Sequence, residues 1–238
     1  MAPRPERPFA EEVGRDPGRL RIAFTDRSPY GDAIDPEVAA AVREVATLLA
    51  GLGHHVEERA PLLAADPAVV MAAIVGANTG LVVRLAEQQF GRAMTDDDIE
   101  ILTIATARKA RKATAIDYVA AQLNAFKIAR GLANFFETCD VFLCPTLCSP
   151  PLRLGELNPM SQDLSHISPI LRRYMPATSM FNMSGQPAMS VPLAWNAAGL
   201  PLGMMFAARL GEEATLFRLA AQLEQERPWN RKLPPICA

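Results

Sequence analysis

The sequence has few aromatic residues and almost no net charge. Aromatic side chains make up 6% of its 238 residues, and the formal net charge is -2. Surfaces that bind nucleic acid or anionic lipid need a concentrated positive field, so we expect neither as a partner. The one basic run, residues 108–112, has helical spacing and is best interpreted as a solvated helix face.

Cysteine is scarce, and no leader is recognisable. Four cysteines in a chain of this length do not form the framework of a disulfide-stabilised domain. The first eight residues are rich in Pro and Arg and have no apolar stretch behind them, which argues against a secretory signal. Residues 69–83, the best candidate for a membrane span, are too few to cross a bilayer and precede Arg84 and Glu87. We therefore expect a soluble, cytoplasmic protein.

Half of the residues are apolar, which is enough for a substantial core in a single domain. Residues 1–19 form an extended lead-in rich in Pro, Arg and Glu. In residues 20–60, an alternating strand pattern is followed by a helix that starts at Asp35-Pro36 and then by a second strand. A strand–helix–strand unit predicts two parallel strands joined by a crossover, so the fold class is α/β.

The rest of the chain divides into a helical part and a part rich in strands. Residues 61–139 are predicted to form a helical subdomain, with helices over about 66–89, 95–112 and 115–137. The apolar face of the third helix is predicted to contain Ile116, Val119, Leu123, Phe126, Ala129, Ala133 and Phe136. Residues 140–238 are predicted to hold strands at 140–144, 186–193 and 202–209 and a last helix that ends before Pro228.

Residues 146–180 contain many Pro and Ser and show no periodicity, so we predict an irregular segment. A loop of this length inside a compact domain is usually functional or mobile.

Four motifs follow one another in the last third of the chain. They are D-V-F-L-C-P-T at 140–146, F-N-M-S-G-Q-P-A-M-S-V-P at 181–192, G-L-P-L-G at 199–203, and E-A-T-L at 213–216 with the later Pro228-Trp229. In this order they resemble the amidase-signature family of hydrolases, firmly over about residues 140–236. The resemblance implies a C-terminal portion of an α/β/α layered fold, with a mixed sheet and a helical subdomain, and cleavage of amide bonds.

Most positions in residues 181–203 are expected to serve the fold. Gly185 and Gly203 can adopt backbone angles that other residues resist. Pro187 and Pro192 fix their own φ and restrict the residues before them.

The catalytic groups that the resemblance implies have no counterpart in the sequence. They are a serine nucleophile, a second serine on a cis peptide, a neutral buried lysine as base, and a Gly/Ser-rich loop that binds the oxyanion. The sequence contains no Gly-Gly-Ser-Ser, Ser-x-x-Lys or Gly-x-Ser-x-Gly. The lysines lie in charged or amphipathic helix sequence or in the tail: Lys109, Lys112, Lys127 and Lys232. We assign no catalytic residue and expect the isolated chain to be inactive.

Other chemistry has weaker support. Cys144, Cys148 and His166 could form a thiol–imidazole pair, and Cys144 could be an independent nucleophile, but sequence distance says nothing about a positioned base. The same residues lack the spacing of a four-ligand zinc site, and Cys139 and Cys144 fit better as core residues. No phosphate loop, nucleotide fingerprint or metalloprotease motif occurs, so we expect no cofactor and no metal.

In α/β folds, ligands bind beyond the carboxyl ends of strands. We therefore expect Cys144, Thr146, Phe181 and Asn182 to lie near a substrate, although each could equally well only pack the end of a strand. The expected partners are a small amide, once the N-terminal half is supplied, and that half itself as a separate chain, or a second copy of this chain. The alternatives are the non-catalytic half of a split amidase or amidotransferase-like complex, or a binding module that re-uses the scaffold. A partial sheet would also expose an apolar face and an unpaired edge.

Overall fold

The computed structural model describes residues 4–28, 32, 34–175 and 177–232, so Cys237 lies outside the described residues. The strands within them are β1 (Arg21–Phe24), β2 (His55–Glu58), β3 (Val141–Pro145), β4 (Ala188–Trp195) and β5 (Pro201–Ala208). The helices are α1 (Pro36–Gly51), α2 (Pro67–Phe90), α3 (Ile101–Ala110), α4 (Ala115–Phe135), α5 (Ile167–Tyr174), α6 (Thr178–Ser184) and α7 (Glu213–Glu226). Short 3-10 turns occupy Phe9–Glu11 and Trp229–Arg231.

The strands form one mixed sheet in the order β2-β1-β3-β5-β4. β1 is parallel to both β2 and β3, whereas β5 is antiparallel to β3 and β4. The predicted strand–helix–strand crossover is confirmed, with α1 joining the parallel strands β1 and β2. Asp35 caps α1 by accepting a hydrogen bond from the N–H of Glu37, and Pro36 occupies the first turn, where its missing N–H has no cost.

Helices cover both faces of the central strands. Along β3, alternate side chains point to opposite faces of the sheet. Val141 and Leu143 pack in a core beneath α1 and α7, while Phe142 and Cys144 pack in a second core beneath α4 and α6. The α/β/α layering expected from the resemblance is therefore present.

The helix α3 starts later than predicted. The side chain of Asp98 accepts hydrogen bonds from the N–H and the hydroxyl of Thr95 and also pairs with Arg92, which closes a turn over these residues. The capping-box pattern therefore marks this turn, and α3 begins only at Ile101. In α4 the same pattern does cap the helix, because Thr114 and Asp117 exchange hydrogen bonds there.

The apolar face predicted for α4 is wrong over most of its length, since Phe136 is the one predicted residue that is buried. Ile116 and Phe126 are 79% and 71% exposed, and Val119 and Leu123 are exposed as well. The helix instead buries another face, which contains Ala121, Ile128, Leu132 and Phe135. Apolar residues lie on more than one side of α4, so periodicity allowed two faces, and packing against α2 and α6 selected one.

Part of the segment predicted to be irregular is helical, since α5 and α6 both lie within or across residues 146–184. Pro169 does not prevent α5, because it stands in the first turn, where an N–H has no intrahelical partner. Residues 146–166 contain no regular helix or strand.

The apolar run at residues 69–83 lies within the longer helix α2. At 24 residues, α2 is long and apolar enough to cross a membrane by length and composition, and 17% of its most apolar stretch is buried. Core helices of soluble proteins can have the same length and composition, and α2 packs against α3 and α4.

Candidate substrate-facing site

Two hydroxyl groups meet at the carboxyl end of β3. The oxygens Thr146 Oγ1 and Ser190 Oγ lie 2.6 Å apart, and the N–H of Thr146 donates to the carbonyl of Gly203 at 3.0 Å. A Cβ built on Gly203 would stand 2.8 Å from Ser190 Oγ and 3.0 Å from Thr146 Oγ1. Gly203 therefore leaves the space in which the two hydroxyls approach each other.

The strand alternation explains why these residues share a face. Cys144 and Met205 belong to the core beneath α4 and α6, and residues two positions along a strand point to the same side. Thr146 and Gly203 therefore lie on that side of the sheet, next to Ser190 of β4. The helices on this side of the sheet leave β4 uncovered here, since Ser190 is exposed and Thr146 is only partly buried.

At β4 the sheet has an unpaired edge and one exposed face. The exposed residues on this face, Ala188 and Ser190, are small, and Ser190 is polar, so the face is not the apolar surface that we predicted. No strand of the described residues pairs with the outer edge of β4.

The structure does not bring the four predicted substrate residues into one pocket. Cys144 and Phe181 are 2% and 4% exposed and pack in the same core. Thr146 faces the open side of the sheet, and Asn182 is exposed on α6. Contact of any of the four with a substrate stays a prediction, and Thr146 is the best placed.

Ser190 was not among the predicted site residues, although it lies in the motif at 181–192. Ser190 lies on one face of an edge strand, two residues from Ala188 and from Pro192. This position could be recognised only after β4 was paired with β5. The prediction that Gly203 uses a backbone angle that other residues resist is wrong. Its backbone φ is not positive, so close approach of side chains requires glycine there, whereas Gly185, at φ 73°, does use the left-handed conformation, at the end of α6.

The thiol groups are poorly suited to nucleophilic chemistry. Burial raises the pKa of Cys144 far above its usual range, and the neighbouring Cys148 adds to this. Burial also raises the pKa of Cys148 to about 12 and that of Cys139 to about 11. Because the thiolate is the reactive form, the structure gives no support to an independent Cys144 nucleophile.

No metal-binding cluster of three or more His, Cys, Asp or Glu side chains occurs in the part of the chain that the structure describes. His166 stands at the start of α5 and is partly buried.

A groove of about 500 Å³ lies on the other side of the sheet, between α1, the end of β4 and the C-terminal segment. Its charged groups are already paired: Arg227 contacts Glu44 at 2.6 Å, and Lys232 Nζ stands 3.5 Å from the ring centre of Trp195. None of the predicted substrate residues lines it.

Known proteins resemble this chain over nearly its whole length. The family model described as Amidase matches residues 1–217. The 6-aminohexanoate-cyclic-dimer hydrolases of Pseudomonas sp. (strain NK87) and Paenarthrobacter ureafaciens are each 31% identical, over 99% of this chain and 50% of their own length. A solved structure of 6-aminohexanoate cyclic dimer hydrolase, 30% identical, superposes with a TM-score of 0.89 over 99% of this chain and 50% of that one.

The chain therefore spans about half the length of these curated relatives. The matched residues include the strand-rich part and the helical middle alike, and the sheet and its helical layers agree with the solved structure. On these grounds the chain belongs to the Amidase family.

Proposed function

We propose that this chain is the substrate-facing half of an amide hydrolase, and that the nucleophile and the base come from the half that these residues do not contain. The observation that carries the proposal is the Thr146–Ser190 hydroxyl pair at the open end of the sheet, in a chain that matches half of an amidase. The cytoplasmic location expected from the sequence stays a prediction.

The hydroxyl pair suits binding better than catalysis. A serine nucleophile needs a base that accepts its proton, but the hydrogen-bond partner of Ser190 Oγ is the hydroxyl of Thr146. One hydroxyl of such a pair donates to the other, so a single O–H and several lone pairs remain for a ligand. An amide group, with its C=O acceptor and its N–H donor, is complementary to that set.

The lysines also lack the setting of a catalytic base. A neutral lysine requires burial away from water, whereas Lys109 and Lys127 are exposed on helices and Lys112 is exposed in the turn after α3. Lys232 stacks on Trp195 and lines the groove beside α1, which contains neither Thr146 nor Ser190. The base that the proposed reaction needs is therefore sought in the other half of the enzyme.

A small amide is the first substrate class to test. Two relatives are named as hydrolases of a cyclic dimer of 6-aminohexanoate, and Ser190 is exposed to solvent on β4.

The proposal is tested with simple aryl and alkyl amides and with the cyclic dimer. We expect no turnover by the chain alone and turnover when it is co-expressed with the unmatched half of the Pseudomonas relative. Thr146→Val and Ser190→Ala should then raise KM more than they lower kcat, because they remove binding groups rather than the nucleophile. Turnover by the chain alone that a serine-directed inhibitor abolishes would contradict the proposal.

The binding-module alternative has one observation in its favour. The central strands β1, β3 and β5 carry both helical layers within this chain, so the core is closed over them. The DNA sequence upstream of this gene distinguishes the hydrolase half from the binding module. An encoded Gly/Ser-rich loop and lysine in frame, or in a separate intact gene, favours the hydrolase half, and their absence favours the module.

A further inference from the structure

The groove beside α1 is separate from the candidate site around Thr146 and Ser190, neither of which lines it. It has a volume of about 500 Å³ and lies between one face of α1, the end of β4 and the C-terminal segment. Sites for small molecules have volumes of about 300–1,000 Å³ and combine an apolar lining with a few polar groups. The groove fits this description, since its apolar lining consists of Ala40, Ala41, Leu193, Ala194 and Pro228.

A cation of the chain itself occupies one end of the groove. Lys232 Nζ stands 3.5 Å from the centre of the Trp195 ring, and both residues line the groove. A cation over an aromatic face is attracted by the negative charge density of the ring. Lys232 is exposed and follows the 3-10 turn at Trp229–Arg231. Its ammonium group can therefore leave the ring without disturbing the core.

A carboxylate lines the same end of the groove. Glu37 Oε1 accepts a hydrogen bond from the backbone N–H of Ala197 at 3.0 Å, two residues beyond Trp195. The partner of Glu37 is thus a neutral group, and within the described residues Glu37 forms no ion pair. A carboxylate accepts up to about four hydrogen bonds, so Glu37 retains both its charge and free acceptors for a ligand.

The opposite end of the groove is neutralised, because Arg227 donates to Glu44 Oε1 at 2.6 Å. Glu37, Ala40, Ala41 and Glu44 line the groove from one face of α1, since they are three, four and seven residues apart. Seven residues of α-helix extend over about 10 Å. The groove is therefore a short apolar channel with a neutral pair at one end and an aromatic ring and a carboxylate at the other.

We propose that this groove is a binding site for a primary alkylammonium ion, with the ammonium on the Trp195 ring beside Glu37 and the alkyl chain along the apolar lining. In the free chain Lys232 fills the ammonium position, and the ligand displaces it. Addition of water to an amide gives a carboxylate and, at neutral pH, an alkylammonium ion. The amine product of the proposed hydrolysis thus has the required chemistry. That source rests on the proposed function, whereas the site rests on the contacts of Trp195, Glu37 and Lys232.

Calorimetric titration of the chain with n-hexylammonium chloride tests the site. Hexan-1-ol and hexanoate are the control ligands, because they have an alkyl chain of similar length and no positive charge. We expect hexylammonium to bind about fivefold or more tightly than either control. The indole N–H signal of Trp195 in NMR spectra, identified by its absence from Trp195→Leu, should shift as hexylammonium binds.

Substitutions in the groove separate the contributions of the ring and the charge. Trp195→Leu removes the aromatic face, and Glu37→Gln removes the charge but keeps an acceptor for the N–H of Ala197. Each should weaken hexylammonium binding about fivefold, and Glu37→Gln should leave hexan-1-ol binding unchanged. Lys232→Ala should tighten hexylammonium binding, because a position that is already filled lowers the apparent affinity. Lys127→Ala, exposed on α4, is the matched control and should have no effect.

Thermal melting of each variant checks that it still folds. Equal binding of hexylammonium and hexan-1-ol, or hexylammonium binding that survives both Trp195→Leu and Glu37→Gln, would overturn the proposal. So would loss of hexylammonium binding when the chain is co-expressed with the unmatched half of the Pseudomonas relative, since that half would then fill the groove. Binding in the groove without amide turnover by that complex would leave the site standing and contradict the proposed function.

Discussion

The hydroxyl oxygens of Thr146 and Ser190, 44 residues apart in sequence, lie 2.6 Å from each other at the open end of the sheet. Neither strand by itself places them there. The pairing of both β3 and β4 with β5 brings them together, and Gly203 of β5 leaves the space between them.

Gly203→Ala should destabilise the protein. The added Cβ would stand 2.8 Å from Ser190 Oγ and 3.2 Å from Thr146 Cβ, and overpacking of this kind costs about 1–3 kcal/mol. Denaturant unfolding measures the change. Gly51→Ala, at the end of α1, is the matched control, because its Cβ would meet nothing within 4 Å. A loss at Gly203 no larger than that at Gly51 would refute the packing explanation.

Glu12 should make stability dependent on pH. Its carboxylate is 2% exposed and contacts Arg218 at 2.7 Å and Arg7 at 3.1 Å. The hydrogen bond from Arg218 is the main reason that its pKa lies below the ordinary 4.5. Because the pKa of Glu12 is lower in the folded than in the unfolded protein, its carboxylate stabilises the fold fully at any pH above the ordinary pKa. This stabilisation is lost as the pH falls from the ordinary pKa through the lowered pKa.

Substitution of Glu12 tests this dependence. Glu12→Gln should lower the melting temperature at pH 7, and the difference from the unsubstituted chain should shrink in acid. Glu11→Gln, in the same turn but exposed, is the control and should change little at either pH. A difference for Glu12→Gln that is independent of pH would show that the charge is not responsible.

The exposed apolar stripe of α4 should make the chain alone prone to self-association. Ile116 and Phe126 are the most exposed of its large residues, and exposed apolar patches promote association. Ile116→Lys with Phe126→Lys should reduce light scattering and change the free energy of unfolding by only about 0.5 kcal/mol per site. Ile128→Lys, on the buried face, should unfold the helix. Unchanged association of the double variant would show that another surface is responsible.

The described thiols should be unreactive while the protein is folded. Burial raises the pKa of Cys148 to about 12 and that of Cys139 to about 11, and it raises the pKa of Cys144 further. At pH 8 a thiol reagent should label these three only as fast as the protein unfolds. Any amide turnover of the assembled enzyme should survive Cys144→Ala. Loss of turnover without loss of folding would revive the thiol hydrolase hypothesis.

Much of the sheet was predictable because its signals are local. The alternation at Leu20, Ile22 and Phe24 and the cap at Asp35 indicated the parallel crossover, and the turn between residues 195 and 201 indicated the hairpin. The four motifs of the last third indicated the family. The candidate site was less predictable: Thr146 follows the strand at 140–144 in sequence, whereas Ser190 is placed beside it only by the pairing of β4 with β5, and Cys144 and Phe181 lie in the core.

The sequence by itself therefore determined the strands, most helices and the family, because caps, periodicity and ordered motifs depend on neighbouring residues. Only the tertiary structure decided which face α4 buries, that Gly203 is needed for space, and that β2 and β4 form the two edges of the sheet. Each of these depends on which distant segments meet, since α2 and α6 select the buried face of α4, and β5 holds Thr146 and Ser190 together.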